Sequence, residues 1–288
     1  MRSDIEQAVI LLRGGDENAI EGAIALLQQA VFAFGMRFCG HREDAEDTTQ
    51  EVLFKAIPYL PKFDNSRALA KWLYTVAKNR CLMSRRKSKF APRQELSLDE
   101  LMPDREELEQ LESSSIPNPE NSTIRGEQSQ RLRVAIRALP PHYRIVLVLR
   151  DMEGFTDDEA GEITGLRPGT IRIRLHRARL FVRRELQKEK HSGSSQHSSD
   201  APARKGNCRK MFAGLSDYLD GELDDFSCEE IEAHIEGCEP CKKFLESLRA
   251  SIQTCRQSPQ DCPDQTKAAS LRKQLLATYS RALAASGK

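Results

Sequence analysis

Apolar residues recur at helical spacing along most of the chain. Ile20, Ala23, Ile24, Leu27 and Val31 form one stripe, and Val52, Leu53, Ala56 and Ile57 form another that Pro58 and Pro61 end. Leu73, Val76, Ala77 and Cys81 mark a third amphipathic stretch, which runs out into Arg85-Arg86-Lys87. Residues 127–187 are helical again, interrupted at Pro140-Pro141, at Gly154 and from Gly165 to Gly169. Thr266–Ala285 is amphipathic, a helix or a loosely docked tail. No β alternation of any length and no internal repeat occurs. The pattern predicts an all-α chain with modules over residues 1–90, 127–187 and 208–247, and a helical tail over 248–288. Residues 91–126, acidic and carrying Ser113-Ser114-Ser115, Pro117 and Pro119, read as a linker. So do residues 188–207, with the small polar run His191-Ser-Gly-Ser-Ser-Gln-His-Ser-Ser.

Composition agrees with small helical modules. In 288 residues, 39% are hydrophobic and 30% charged, with a mean hydropathy of −0.56. That length suggests two or three domains. No uninterrupted apolar run approaches the roughly 18 residues a bilayer crossing needs. The start, MRSDIEQAVILLRGG, is acidic early and unlike a signal peptide. A cytoplasmic location is expected, where thiols stay reduced. Six of the eight cysteines follow residue 207, which favours metal binding or thiol switching over a disulfide framework.

The net charge of +1 conceals segregation. Residues 78–93 and 167–184 each hold seven Lys/Arg and no acid. Residues 95–112 carry eight acids against one Arg, and residues 215–239 carry ten acids with no Lys or Arg. The basic blocks imply a polyanion partner, and the acidic blocks something able to compete with it.

Two constellations carry candidate chemistry. His234-x3-Cys238-x2-Cys241 places three metal-seeking atoms on one side of a helical turn, and Cys208 can supply the fourth soft ligand that tetrahedral Zn²⁺ wants. Cys228 is a rival fourth ligand, and unmetallated core thiols are the plain alternative. Ser227-x-x-Glu230 reads as a capping box starting the helix that presents His234 and Cys238. Cys255 and Cys262 lie outside the motif, as inert residues or as thiols able to form disulfides on oxidation. The second constellation is a helix-turn-helix. Thr156-Asp-Asp-Glu159 is a capping box, Gly165 ends that helix, and Pro168 opens an Arg-rich one. On it Ile171, Leu175, Ala178 and Val182 share an inner face. Arg172, Ile173, His176 and Arg177 project away, suited to base edges in a major groove, and Arg174, Arg179, Arg183 and Arg184 suit phosphates. A solvated basic surface helix is the bland alternative.

Several ordered motifs then resemble one family. Arg137-Ala-Leu-Pro-Pro-His-Tyr-Arg-Ile-Val followed by Gly169-Thr-Ile-Arg-Ile-Arg-Leu-His-Arg-Ala-Arg is similar to region 4 of extracytoplasmic-function (ECF) sigma factors. Asp44-Ala-Glu-Asp47-Thr-Thr-Gln50-Glu51-Val resembles the region 2 segment that binds the β′ clamp helices of RNA polymerase. Lys71-Trp-Leu-Tyr-Thr-Val-Ala-Lys-Asn-Arg80 resembles the promoter-melting helix of region 2. The likeness covers roughly residues 15–90 and 127–187. It implies two helical sigma domains that bind core RNA polymerase through the β′ clamp and β flap, and that bind promoter DNA. Asp47, Gln50 and Glu51 would then meet polymerase. Asn65 and Ser66 would capture a flipped base, and Lys78, Asn79 and Arg80 would touch promoter strands. Trp72 and Tyr74 could stack on bases, although Trp72 is more often a core residue at this position. The −35 element would fall to Arg172, Ile173, His176 and Arg177. Met83 and Ser84 stand where the family commonly has an acid.

Leu215-Ser-Asp-Tyr-Leu-Asp-Gly221-Glu-Leu with the His/Cys motif resembles the zinc-binding domain of anti-sigma factors, in which a distal Cys or His completes the site. The resemblance implies a small helical zinc domain fused in cis, at an effective concentration in roughly the millimolar range. Its acids are expected to dock on residues 167–184 or 78–93, as an inhibitory or sensory device. A purely structural zinc, and acids that merely solubilise, are the plain readings. The chain would perform no bond chemistry, lacking a nucleophile–base constellation or a phosphate-binding glycine loop. The rival function is a stand-alone helix-turn-helix regulator with a structural zinc domain.

Overall fold

A computed structural model describes residues 3–14, 16–85, 95–103, 107, 122–188 and 206–286. Among these residues there are helices and turns and no strand, as the periodicity predicts. The helices are α1 (Ser3–Gly14), α2 (Glu17–Phe38), α3 (Arg42–Ala56), α4 (Ser66–Arg85), the single turn α5 (Leu98–Leu101), α6 (Ser122–Ala138), α7 (Pro141–Leu147), α8 (Asp157–Thr164), α9 (Pro168–Lys188), α10 (Gly206–Asp220), α11 (Asp225–Glu236), α12 (Glu239–Arg256) and α13 (Gln265–Ser286). Pro58 and Pro61 do not simply stop α3: a 3-10 stretch, Ile57–Lys62, follows it. After α7 the helix widens into a π-helical turn, Val148–Met152.

The chain divides into two compact units. The first contains residues 1–92, 148–167 and 259–288. Its centre is α2, where Leu27, Val31, Phe32 and Phe34 are all fully buried. Each such large apolar side chain contributes about 1.5–3 kcal/mol relative to an exposed one. Asn18–Phe38 is long and apolar enough on average to cross a membrane, although Glu21 and Arg37 interrupt it, and most of it is buried in this core. A Cβ at Gly35 would come within 3.1 Å of Ala45 Cα and Cβ, so glycine there lets α2 and α3 touch. The tail forms α13 and buries Ala268, Leu275 and Tyr279. Gln28 on α2 donates to the Ala268 carbonyl at 3.3 Å, and Lys267 pairs with Glu46 on α3 at 2.7 Å. Cys39, at the end of α2, is disulfide-bonded to Cys81 on α4, both almost fully buried beside the Thr48 hydroxyl. Reduced thiols were expected; the helix packing brings these two together from 42 residues apart.

The second unit contains residues 93–147 and 168–258. Leu180 of α9 shares one apolar core with Phe212 and Leu215 of α10, Ile231 of α11, and Phe244, Leu248 and Ile252 of α12. Leu101 and Met102, from the segment read as a linker, are buried in the same core. Charge concealed this: two apolar residues among eight acids were enough to seat the segment. Residues 91–94, 104–106, 108–121 and 189–205 of the two linkers lie outside the described residues.

Candidate DNA- and metal-binding sites

The two helices of the predicted helix-turn-helix each start and stop as their local chemistry dictates. The Thr156 hydroxyl accepts from the Glu159 amide at 3.3 Å, and the Glu159 carboxylate accepts from the Thr156 amide at 2.9 Å. Gly165 caps α8 at φ 79°, a left-handed conformation that glycine adopts without Cβ strain. Pro168 opens α9, where a missing amide costs nothing.

Two faces of α9 are buried, one more than expected. Ile171, Leu175, Ala178 and Val182 face inward as predicted. His176, Arg179, Leu180 and Arg183 are also buried, against the acidic zinc-motif helices. His176 was assigned to the outer, base-reading face. It is only 6% exposed, and its Nδ1 lies 2.8 Å from Ser216 Oγ. Burial first, then the nearby charges of Arg179 and Arg177, push its pKa down to about 4, so the ring is neutral at pH 7. Arg179 forms a bidentate pair with Asp220 at 2.7 and 3.0 Å. Arg183 lies 3.8 Å over the Phe244 ring, donates to Ser247 Oγ at 2.6 Å and pairs with Glu107 at 2.7 Å. Both arginines, expected at phosphates, are thereby withdrawn from water. Ile173 remains exposed at 58%; Arg172 is exposed with Glu222 at 3.9 Å; Arg177 donates to the Tyr143 hydroxyl at 3.4 Å.

The metal motif converges as its spacing implies. His234 sits in the last turn of α11, Cys238 is the N-cap of α12 and Cys241 lies in the first turn of α12. Their ligand atoms lie within 4.8 Å of one another, with His234 Nε2 and Cys241 Sγ 3.2 Å apart. One imidazole and two thiols at a helix start, where thiolates are favoured, make a donor set that fits Zn²⁺. Cys228 stands outside this cluster. Cys208 falls within α10, but its side chain lies outside the described residues. The expected Ser227/Glu230 capping box gives way to Asp224, which accepts from the Ser227 amide at 2.9 Å and starts α11 earlier. Asp224 won because Ser227 is already inside the first turn. Cys255 is buried and Cys262 exposed.

In the first unit, Asp47 and Gln50 are exposed on α3 and Glu51 is half-buried. Glu51 pairs with Lys55 and with Arg80 of α4, both at 2.7 Å; chiefly the Lys55 hydrogen bond lowers its pKa. Asp47 and Gln50 also line a cavity of about 280 Å³ whose other wall is α13, including Lys267 and Leu271. Asn65 serves a local purpose: its Oδ1 accepts from the Arg67 amide at 2.8 Å, ahead of α4, where Ser66 is the first residue. Asn79 is exposed. Lys78 is half-buried and donates to the Ile163 carbonyl at 2.7 Å, and burial lowers its pKa. Trp72 is half-buried between Tyr59 and Phe63, whereas Tyr74, proposed as a stacking platform, is buried in the core.

Sequence comparison bears directly on this arrangement. Residues 23–90 match the family model "Sigma-70 region 2", residues 129–182 match "Sigma-70, region 4", and residues 215–242 match "Putative zinc-finger". The chain is 30% identical over 189 residues to the ECF RNA polymerase sigma factor SigE of Mycolicibacterium smegmatis, covering 64% of this chain and 68% of that protein. It is 28% identical to ECF RNA polymerase sigma factor SigW of Bacillus subtilis, over 65% of this chain and 98% of the relative. The chain belongs to the ECF sigma factor family. Its fold is that of two helical sigma domains with a zinc-finger-type domain fused behind them, and its function is transcription initiation. Region 2 corresponds to α2–α4, region 4 to α6–α9, and the zinc-finger match spans α10–α12.

One set of residues escaped the reading of the sequence altogether. Glu153 is buried, and its carboxylate accepts from Arg37 at 3.1 Å and from the Tyr74 hydroxyl at 2.8 Å. The local sign was slight: an acid just before a glycine, four residues after the apolar run Ile145–Leu149. The π turn and Gly154, at φ 73°, aim it inward.

Proposed function

We propose that this sigma factor is held in check by its own C-terminal segment. Asp47, Gln50 and Glu51 bind the β′ clamp of core polymerase, and region 4 meets the β flap. Lys78, Asn79 and Arg80 meet promoter strands near the −10 element, with Asn65 and Ser66 beside them. Arg172, Ile173 and Arg177 read the −35 element. The zinc domain, holding Zn²⁺ through His234, Cys238 and Cys241 with Cys208 as the fourth ligand, grips α9 and keeps it from entering the major groove. The protein acts in the cytoplasm.

The observation that carries this reading is the burial of His176, Arg179 and Arg183 against α10 and α12. A recognition helix with two of its phosphate-facing arginines paired to carboxylates has that part of its electrostatic attraction for DNA cancelled. A second support is the wall that α13 builds beside Asp47 and Gln50. Zinc supplies the cross-link that lets so small a helical domain fold.

The test is in vitro transcription with core polymerase. Full-length protein, a chain lacking residues 191–288 and the point variant Asp220→Ala are compared on one promoter. Release from inhibition predicts more transcript from both altered chains. Equal or lower activity with intact helical content sinks the regulatory reading and leaves the sigma factor assignment untouched.

A further inference from the structure

Four positions on one face of α4, Arg67, Lys71, Tyr74 and Lys78, follow the i, i+4, i+7, i+11 rhythm of a helix stripe. Every one of them is hydrogen-bonded to the segment 153–163 within the first unit. Arg67 is paired with both carboxylate oxygens of Glu159, its Nη2 at 2.8 Å from Oε2. Lys71 meets Glu162 at 2.6 Å. Tyr74 donates to Glu153, and Lys78 donates to the Ile163 carbonyl near the C-terminal, negative end of α8. Phe155 completes the contact, edge-on to Tyr74 with centroids 5.6 Å apart.

We infer that residues 153–164 are a self-docking element that occupies the promoter-strand surface of α4, its carboxylates and helix C-terminus standing where DNA phosphates would lie. The inference rests on the proposed role of α4 in meeting promoter strands, but it concerns a different device from the zinc domain. The outer pairs are half-exposed and mirror what a phosphate backbone offers: negative oxygens spaced along a row of cations. The inner part is unlike a DNA contact. Glu153 is a buried carboxylate held by Arg37 and Tyr74, and it fixes where the outer acids fall. Moreover α8 is the first helix of the helix-turn-helix, the one that crosses the DNA backbone in that motif. While seated on α4 it withholds both surfaces at once, so polyanion binding and docking are mutually exclusive.

The experiment uses full-length protein and a fluorescein-labelled single-stranded DNA of mixed sequence at low salt. Glu153→Gln removes the buried charge without altering the exposed surface, and Tyr74→Phe removes only one hydrogen bond. If only a fraction of molecules is open, the apparent affinity is reduced by that fraction, so Glu153→Gln should bind the strand roughly tenfold more tightly and Tyr74→Phe about two- to threefold. Hydrogen–deuterium exchange should show the amides of 157–164 exposed in Glu153→Gln, and exposed in the wild type when DNA is added. Exchange that rises in the variant with no gain in DNA affinity overturns the proposal, as does DNA binding that leaves α8 protected. Because Glu153→Gln can unfold the unit, Tyr74→Phe with native thermal unfolding carries the same two readouts. Lys71→Gln and Lys78→Gln in the opened background separate the two ideas. If they leave strand binding unchanged, the promoter-strand role of α4 fails; if they abolish it while α8 never moves, only the self-docking fails.

Discussion

The helices α4 and α9 are both basic, both assigned to DNA, and both met by carboxylates of the same chain, yet they are met in different ways. On α9 the arginines are desolvated: the side chains of Arg179 and Arg183 are each 1% exposed and Asp220 is 8% exposed. On α4 the cations stay partly wet, with Lys71 at 31% and Arg67 at 46%. Deep burial makes a contact specific in geometry and intolerant of losing one partner, because the remaining charge cannot be rehydrated. Partial exposure makes a contact cheap to exchange for another polyanion and sensitive to salt. The α9 contact is therefore the harder of the two to exchange, and the α8 contact on α4 the easier.

Removing the metal should separate the two contacts most strongly. Zinc binding to small domains is worth about 10–16 kcal/mol of folding free energy, so a chelator, or Cys238→Ser, should melt α10–α12 and free α9. Hydrogen exchange should then rise across residues 206–256, while α8 and α4 keep their protection. Loss of protection in both would show that the contacts are not independent.

Next in size is Asp220→Ala, which removes the bidentate carboxylate partner of the buried Arg179. It should cost about 3–5 kcal/mol, measured by denaturant unfolding of the full chain, with the change confined to the second unit. Glu162→Gln on the other side should cost less than about 1 kcal/mol, and that cost should vanish at high salt.

Acid should also act on α9 more than on α4. The pKa of His176 is lowered to about 4 by burial and by Arg179 and Arg177, and Nε2 has no hydrogen-bond partner among the described residues to receive a second proton. The neutral ring contributes its full stability above the ordinary value near 6.5, and loses it as the pH falls from there toward 4. Between pH 7.5 and 5 the loss should be about 2 kcal/mol. Glu159, held at about 2 chiefly by the Arg67 hydrogen bond, should stay ionised over that range, leaving the α4 contact intact. The check is whether His176→Gln flattens the pH dependence of α9 protection.

How much was legible depended on the reach of the interaction. The capping box of Thr156 and Glu159, the Gly165 turn and the Pro168 start are set by neighbours within a few residues, and each formed as read. His234, Cys238 and Cys241 converge because one helix end and the next helix start hold them seven residues apart. His176 was misplaced because periodicity marks one inner face, and α9 has two. Leu101 and Met102 were missed because a dominant acidic composition hid a short apolar pair. Opposed charge blocks marked which segments are acidic and which Arg-rich, but not that Arg179 pairs with Asp220 or Arg183 with Glu107.

The sequence by itself determined the helical class, the Thr156/Glu159 cap, the convergence of three metal ligands and membership in the ECF sigma factor family. Tertiary structure alone decided that Cys39 meets Cys81, that Glu153 lies between Arg37 and Tyr74, and which cations of α4 and α9 are withdrawn from water. The reason is physical. Hydrogen bonds of caps and turns close over three or four residues and leave a local signature. A buried ion pair or thiol pair forms only where distant helices pack, and one residue of a pair carries no mark of the other.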